Sequence, residues 1–268
     1  MKNNKNDNYH SLSELYHENS KMRTIDYGFY KWVNQVSSDV TIREVICKPN
    51  YNFHGYPSVP LNQDILTDAE QHKKYDMFLQ RKSRREFQDT PLSLAAISNI
   101  LFAANGVNRQ ETFDDGTVWN MRTAPSPGGL FPIDIYCIVQ NVEHVEPGIY
   151  SYSPVENCLY LISKQSREEL NNNLCAGMRP MKASITNSAI CIALVSNMAR
   201  VKFKYKERGY RFALLETGHI AQNISLAVEI ERAGAVCVGG FMDDSVNAML
   251  NIDGLEHIAQ YCILIGAV

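Results

Sequence analysis

The sequence predicts an α+β fold in which a mixed or antiparallel sheet is flanked by helices. Helical and strand-like segments alternate along the 268 residues without the strict β-α-β rhythm that a parallel sheet requires. Residues 208–234 form the longest proline-free segment whose apolar side chains keep a helical period. We therefore expect one long helix there, around which the rest of the chain is organised.

Composition indicates a soluble globular protein. Hydrophobic residues make up 45% and charged residues 21% of the chain, and the net charge of −3 gives no reason to expect nucleic acid or an anionic membrane as a partner. No apolar run approaches the ~20 residues of a membrane span, and the first ten residues lack a signal-peptide stretch. We expect a cytoplasmic protein without a metal site, because the seven scattered cysteines have no metal-ligand spacing and suit buried free thiols.

Two regions are expected along the chain. Residues 1–62 are predicted to form an N-terminal arm, mobile over its first ten residues and extended around Pro49, Pro57 and Pro60. Such an arm could wrap a neighbouring subunit or a peptide, or it could cover a surface. Residues 63–268 are expected to form the folded domain.

The folded region is predicted to contain further helices and several strands. One helix runs from Thr67 to about Leu79, a second follows a Thr90 cap and stops at Gly106, and a short one is capped by Asp243 or Asp244. The remaining predicted elements are a helix at 166–177 and strands at 133–139, 148–152, 158–162, 189–196, 235–238 and 261–268.

Two motif types could bind an anionic, flat ligand. The basic run of Arg81, Lys82, Ser83, Arg84 and Arg85 could clamp a phosphate, because guanidinium groups bind its oxygens in pairs. Two glycine pairs, in the turn at 125–132 and at 239–240, would let backbone approach a planar ring without Cβ interference. The alternatives are a solvated basic surface and purely structural turns.

Polar groups before and within the long helix are a third candidate feature. Lys204 and Tyr205 stand in a basic run at 200–211, and this pair has acid–base potential if burial or neighbouring positive charge tunes the lysine; a solvated basic helix start is the alternative. Within the helix, small residues four apart could allow close approach of another helix or a flat ligand, and three polar residues would need partners if buried. The small residues are Ala213, Thr217, Ala221 and Ser225, and the polar ones are Glu216, His219 and Asn223.

In combination and order, these motifs resemble the SagB-type dehydrogenases, azoline oxidases of the flavin-dependent nitroreductase superfamily. RKSRREF stands where the superfamily has an Arg-Arg-Ser-x-Arg phosphate motif, with Lys82 in place of the second arginine. PSPGGLFPIDIY is similar to the subfamily's proline, serine, glycine-pair and Leu-x-Pro signature, and YHENSKM to its N-terminal segment. GYRFALLETGHIAQNISLAVE and GAVCVGGFMDD are similar to its central helix and the following glycine turn.

The resemblance implies an FMN-dependent homodimer with the long helix in the dimer core and one flavin in each interface cleft. It assigns catalysis to Lys204 as base or proton relay and to Tyr205 as its hydrogen-bonding partner. The cofactor-binding residues that it implies are Arg81, Lys82, Ser83, Arg85, Pro125, Ser126, Gly128, Gly129, Leu130, Gly239 and Gly240.

The implied substrate is a ribosomally made precursor peptide that carries thiazoline or oxazoline rings formed by a cyclodehydratase complex. Removal of a proton and a hydride would convert each ring to a thiazole or oxazole. Two alternatives stay open at this point. One is a general NAD(P)H-dependent nitro or quinone reductase, and the other is a flavin-binding scaffold that holds the cyclodehydratase complex without turnover.

Overall fold

A computed structural model describes residues 11–23, 27–47 and 55–268. The described chain divides into a larger compact unit, residues 11–22 and 77–268, and a smaller one, residues 23–76. The predicted mobility of the first ten residues and the predicted extended backbone at Pro49 lie outside the described residues.

Much of the predicted extended arm is helical, so that prediction is wrong over these segments. In the larger unit, α1 (Leu12–Ser20) begins at Ser11, whose hydroxyl accepts from the backbone of Glu14. In the smaller unit the chain forms α2 (Tyr27–Ser38) and α3 (Val40–Cys47). The three prolines of this region follow α2 and α3 in the sequence and do not interrupt them, and residues 57–63 have no helix or strand.

The single helix predicted from Thr67 to Leu79 is three short helices. These are α4 (Asp64–Thr67), α5 (Ala69–Lys74) and α6 (Asp76–Gln80), of which α6 crosses from the smaller into the larger unit. The interruption after α4 has a local cause, because Asp68 adopts an extended backbone conformation and its side chain accepts from the backbone of Gln71. A carboxylate at this point therefore starts a new helix instead of continuing the first one.

A six-stranded antiparallel sheet forms the centre of the larger unit and confirms the predicted α+β fold. Its strand order is β5-β4-β3-β6-β8-β7, and a separate hairpin of β1 and β2 precedes it in the chain. The strands are β1 (Val107–Thr112), β2 (Val118–Arg122), β3 (Ile133–Val139), β4 (Gly148–Ser153), β5 (Cys158–Lys164), β6 (Ile190–Asn197), β7 (Gly234–Val238) and β8 (His257–Gly266).

Helices cover both faces of the six-stranded sheet. One face packs on α7 (Leu94–Asn105), α10 (Met198–Tyr205) and α11 (Arg208–Ile230), and the other on α8 (Arg167–Gly177), α9 (Lys182–Thr186) and α12 (Asp243–Met249). Strand β6 is buried on both faces, which explains its unbroken apolar sequence. The six cysteines whose side chains are described are free, and three of them are fully buried.

Several element ends differ from their predicted positions. Ser93, not Thr90, caps α7. Neither Asp243 nor Asp244 caps α12, which begins after Met242 without a side-chain cap, and the Asp243 carboxylate instead accepts from the backbone of Met22. The long helix ends at Ile230 and not at 234, since the chain turns at Arg232 with a φ of 56° before β7 begins. In the described part of the chain, no helix has both the length and the apolar character needed to cross a membrane.

The small-residue stripe of α11 lies inside the subunit. Ala213, Thr217 and Ala221 are at most 4% exposed, because they pack into the core of the larger unit. These three residues therefore cannot form the subunit contact that a dimer core at the long helix would require. The outward face of the same helix instead exposes Leu214 and Leu215, at 38% and 54%.

Candidate functional site

The turn that leads into β3 adopts an unusual backbone conformation. Gly128 and Gly129 have φ values of 61° and 64°, and Phe131 has a φ of 46°. Positive φ is easily adopted by glycine but is strained for a bulky side chain. The two glycines thus allow a tight turn. The positive φ of Phe131 is unfavourable, so contacts with surrounding residues must stabilise it.

The turn lies directly against the predicted catalytic pair. A Cβ atom placed on Gly128 would be 2.5 Å from Tyr205 Oη and 2.6 Å from Lys204 Nζ. Lys204 Nζ also lies 5.3 Å from the centre of the Tyr205 ring, whose edge packs on Phe212 at 4.9 Å. The fold therefore brings Gly128 together with Lys204, which lies 76 positions later in the sequence, and with the adjacent Tyr205.

Local structure explains why the pair faces the turn. Helix α10 begins at Asn197, whose side chain accepts from the backbone of Arg200, and it ends at Tyr205. Lys206 then reverses the chain with a φ of 48° and leads into α11. Lys204 and Tyr205 consequently occupy the last turn of a short helix, beside the corner between two helices. Lys204 is exposed and Tyr205 is half-buried.

Gly129 packs against an aromatic residue that sequence reasoning missed. A Cβ atom at Gly129 would lie 2.8 Å from the indole of Trp119, which belongs to β2 and packs on Phe113 at 5.4 Å. The hairpin that carries Trp119 was not predicted, because β1 shows no alternation of buried and exposed positions. The turn is therefore bounded by an indole at one glycine and by the Lys–Tyr pair at the other.

Replacing Gly128 with alanine is expected to displace the tips of Lys204 and Tyr205 and to lower turnover at least about tenfold, because a misplacement near 1 Å has large catalytic effects. Gly116→Ala is the matched control, since Gly116 also has a positive φ of 83° but has no neighbour within 4 Å of a Cβ atom. Thermal unfolding and turnover measured on both variants separate backbone strain from loss of the site. Equal losses of turnover in the two variants would contradict the proposed role of Gly128.

Glu216 lies buried beneath the turn. Its side chain is 0% exposed, and the Ser126 hydroxyl donates to Glu216 Oε2 at 2.5 Å. Burial raises the pKa of Glu216 to about 7, although the Ser126 hydrogen bond and the nearby charge of Arg122 act in the opposite direction. Burial also lowers the pKa of Arg122, whose guanidinium lies 4.6 Å from the centre of the Phe131 ring.

The other two polar residues predicted on the long helix have different environments. Asn223 is half-buried and donates to the carbonyl of Ala104 at 3.4 Å. His219 is exposed, so the expectation of burial is wrong for this residue, which points away from the core on the outer face of the helix. Only one of the three, Glu216, is connected to the candidate site by these contacts.

The basic segment lies beside the edge strand β7. The backbone of Arg84 donates to the carbonyl of Ala235 at 2.8 Å, and the Arg84 side chain pairs with Glu229 at 3.7 Å. The predicted ligand-binding side chains around it, Arg81, Lys82, Ser83 and Arg85, are exposed. Residues 82–88 and Val268 line an open groove of about 680 Å³. The arrangement leaves several basic groups directed to solvent and the groove.

The second glycine pair follows the opposite end of β7. Gly239 and Gly240 are exposed, and a Cβ atom at Gly239 would meet the ring of Tyr261 at 3.5 Å, whereas Gly240 has no neighbour within 4 Å. Gly239 lies four positions after Ala235, which corresponds to about 13 Å along a strand. One edge strand thus separates the basic segment from the glycine pair by a fixed distance.

A cavity of about 410 Å³ lies elsewhere, between α7 and the β4–β5 edge. It is lined largely by apolar groups, including Ile97, Leu101, Tyr150 and Tyr152. None of the predicted site residues lines this cavity. It therefore provides no support for the predicted site.

The fold and site define an α+β protein with glycine turns, a basic groove and an adjacent Lys–Tyr pair, a combination suited to a flat anionic ligand. The chain belongs to the nitroreductase family, whose sequence pattern matches residues 78–267. It is 35% identical to the nitroreductase-family protein MJ1384 of Methanocaldococcus jannaschii over 188 residues, which are 70% of this chain and 88% of that protein.

Two further similarities concern microcin B17 processing. The chain is 29% identical over 166 residues to the microcin B17-processing protein McbC of Escherichia coli, covering 60% of this chain and 57% of McbC. Its fold matches a chain of the E. coli microcin synthetase McbBCD complex with truncated pro-MccB17 bound, with a TM-score of 0.70, 20% identity and coverage of 96% and 92%. A nitroreductase-fold structure from Ralstonia eutropha also matches, with a TM-score of 0.57, 24% identity and coverage of 80% and 87%.

Proposed function

We propose that this chain is an FMN-dependent dehydrogenase of the SagB type, which oxidises thiazoline or oxazoline rings to thiazole or oxazole in a ribosomally synthesised peptide. The observation that carries the proposal is the convergence of Lys204 Nζ and Tyr205 Oη on Gly128. Membership of the nitroreductase family supports an oxidoreductase, and similarity to McbC, named as a microcin B17-processing protein, supports a peptide substrate.

The residues of the site fit FMN on structural grounds. The exposed basic side chains at Arg81, Lys82 and Arg85 suit its phosphate, with the Ser83 hydroxyl as a further donor. Pro125, Ser126, Gly128, Gly129 and Leu130 would border the ring from the first turn. Gly240, which has open space at its Cβ position, would do so with Gly239 from the second.

The chain's own groups would handle the proton in the reaction. Lys204 Nζ accepts the proton that leaves the azoline ring carbon, and Tyr205 Oη holds the ammonium and substrate in position through hydrogen bonding. Bound FMN supplies the acceptor for the hydride, with oxygen as the final oxidant. Two hydrogens leave adjacent ring carbons, so a carbon–carbon double bond forms beside the existing carbon–nitrogen double bond and the ring becomes aromatic.

Removing charge from the basic segment is expected to weaken FMN binding. Arg81→Ala and Arg85→Ala should each raise the Kd for FMN about tenfold, because each loses a charge-assisted hydrogen bond to phosphate. The effect should shrink as salt concentration rises. Fluorescence titration of FMN measures the Kd, and Lys73→Ala, a change of an exposed lysine in α5, is the control. Unchanged Kd values in both arginine variants would exclude this phosphate site.

Partners follow from the same proposal. We propose a cytoplasmic homodimer that works with a cyclodehydratase complex on an azoline-containing precursor peptide, without nucleic acid or membrane partners. The outward face of α11 supports the dimer, since Leu214, Leu215 and Ile230 are 38%, 54% and 60% exposed in the single chain. Apolar groups on one helix face favour burial against a second surface.

A general NAD(P)H-dependent nitro or quinone reductase is the second candidate. The 35% identity to a nitroreductase-family protein without the microcin connection in its name favours it. This function predicts rapid flavin reduction by NAD(P)H and indifference to Lys204→Ala. A non-catalytic scaffold predicts full product formation in a reconstituted complex even when both Lys204 and Tyr205 are replaced.

A further inference from the structure

Side chains hold both backbone polar groups of Phe131. Arg200 in α10 donates from Nη1 to the Phe131 carbonyl at 2.7 Å. The Phe131 backbone N–H donates to Ser126 Oγ at 2.8 Å, and that hydroxyl in turn donates to Glu216 in α11 at 2.5 Å. Both backbone polar groups of Phe131 are therefore held, the carbonyl by Arg200 of α10 and the N–H by Ser126, which Glu216 of α11 contacts in turn.

These contacts explain why Phe131 can keep a strained conformation. A φ of 46° is unfavourable for a phenylalanine, and it persists only where surrounding groups determine it. The ring is also held, because the Arg122 guanidinium lies 4.6 Å from its centre. The turn is thus fixed at Phe131, three residues after Gly128, which lies against Lys204 and Tyr205.

Helix α10 carries both Arg200, which binds the Phe131 carbonyl, and the proposed catalytic Lys204. Arg200 and Lys204 are four residues apart in α10, so they lie on one side of it about one turn apart. Arg200 also pairs with Asp134 at 3.1 Å, which fixes its guanidinium. Any shift of the turn would therefore change the spacing between Gly128 and the tips of Lys204 and Tyr205.

Glu216 is not explained by packing alone. Its side chain is fully buried, and its Oε1 atom has no hydrogen bond of ordinary geometry among the described residues, although the nearby backbone of Ile133 acts to lower its pKa. A buried carboxyl is unfavourable compared with an apolar side chain of similar volume. The charged groups that face it are Arg122 from β2 and Arg200 from α10. Its one hydrogen bond to a side chain goes to Ser126, which points to a role in the turn.

We propose that Glu216, acting through Ser126, and Arg200, acting on the Phe131 carbonyl, are positioning residues that hold the turn in place against Lys204 and Tyr205. Neither residue needs to touch the substrate for this role. That these residues hold the turn is inferred from the contacts of this chain. That their loss would reduce catalysis rests on the proposed function.

The test compares Glu216→Leu with Glu216→Gln, because glutamine keeps an acceptor for the Ser126 hydroxyl and leucine does not. In Glu216→Leu we expect faster hydrogen exchange at the Phe131 amide, a kcat about tenfold or more lower, and a KM within about twofold of wild type. In Glu216→Gln we expect most of the protection and most of kcat to be restored.

Ser126→Ala provides a second route if Glu216→Leu fails to fold, and the same exchange and kcat changes are expected. Wild-type exchange at Phe131 in both Glu216→Leu and Ser126→Ala would overturn the proposal. Equal defects in Glu216→Gln and Glu216→Leu would also overturn it. Hydrogen exchange is measured without turnover, so it tests the positioning role independently of the proposed function. If the wild-type protein makes no azole, the proposed function is wrong, and the exchange comparison still tests whether Glu216 and Ser126 hold the turn.

Discussion

Lys204→Ala is expected to lower the rate of azole formation at least about 100-fold, because a positioned general base contributes about 10²–10⁴ to a rate. The variant should still bind FMN, since Lys204 lies at the end of α10 and not in the basic segment at 81–85. Mass spectrometry of a thiazoline peptide measures product, and flavin absorbance measures cofactor content. Tyr205→Phe should reduce the rate less, because it removes only the hydroxyl.

Lys206→Ala is the matched control for this loss. Lys206 is exposed like Lys204 and two residues away, but it lies at the chain reversal after α10. Wild-type rates in Lys206→Ala combined with a large loss in Lys204→Ala would show that position, and not general positive charge, matters. Full activity in Lys204→Ala would remove the proposed proton acceptor.

Glu216 is expected to make the stability of the protein fall as pH rises from about 4.5 to about 7. The pKa is 4.5 in the unfolded chain and about 7 in the folded protein, so the unfolded chain releases this proton first. The folded state therefore favours the neutral carboxyl. Above the folded pKa, where Glu216 is ionised in both states, the free energy of unfolding is lower by about 3 kcal/mol than at low pH. Below about pH 4.5 Glu216 is protonated in both states, and this destabilisation is absent.

Urea unfolding at about pH 5 and about pH 8 measures the effect. Wild type should lose about 2–3 kcal/mol more between these conditions than Glu216→Gln, which does not ionise. Trp119 fluorescence in a Trp32→Phe background reports on the larger unit, because the chain has only these two tryptophans. Equal pH dependence in the two proteins would contradict a raised pKa at Glu216. If the wild type instead gained stability towards pH 8 relative to the variant, the pKa of Glu216 would be lowered by folding and not raised.

The sheet was largely predictable because its strands have strong local signals. Residues 190–195 in β6 are apolar without interruption since both faces of the strand are buried, and the predicted strand at 133–139 has the observed bounds of β3. The hairpin was not predictable in this way, because β1 is exposed along most of its length. The helices at 27–47 were not predicted because Pro49, Pro57 and Pro60 indicated an extended chain, whereas these prolines all follow the helices and do not interrupt them.

The site was predictable only in its separate parts. Gly128, Lys204 and Tyr205 were selected from motifs, and their contact depends on the tertiary fold. The link from Ser126 to Glu216 spans 90 residues, and no local pattern in either segment indicates it. Trp119 was missed for the same reason, since its contact with Gly129 depends on a hairpin that lacks a sequence signal.

The most direct test of the proposed function uses the purified protein, FMN and a synthetic peptide that carries one thiazoline. We expect the peptide to lose two hydrogens, about 2 Da per ring, with oxygen as the oxidant. We also expect Lys204→Ala to retain FMN and to leave the peptide mass unchanged. An unchanged peptide mass with the wild-type protein, together with rapid NAD(P)H-dependent reduction of a quinone or nitro compound, would contradict the proposed azoline oxidation and identify a general reductase.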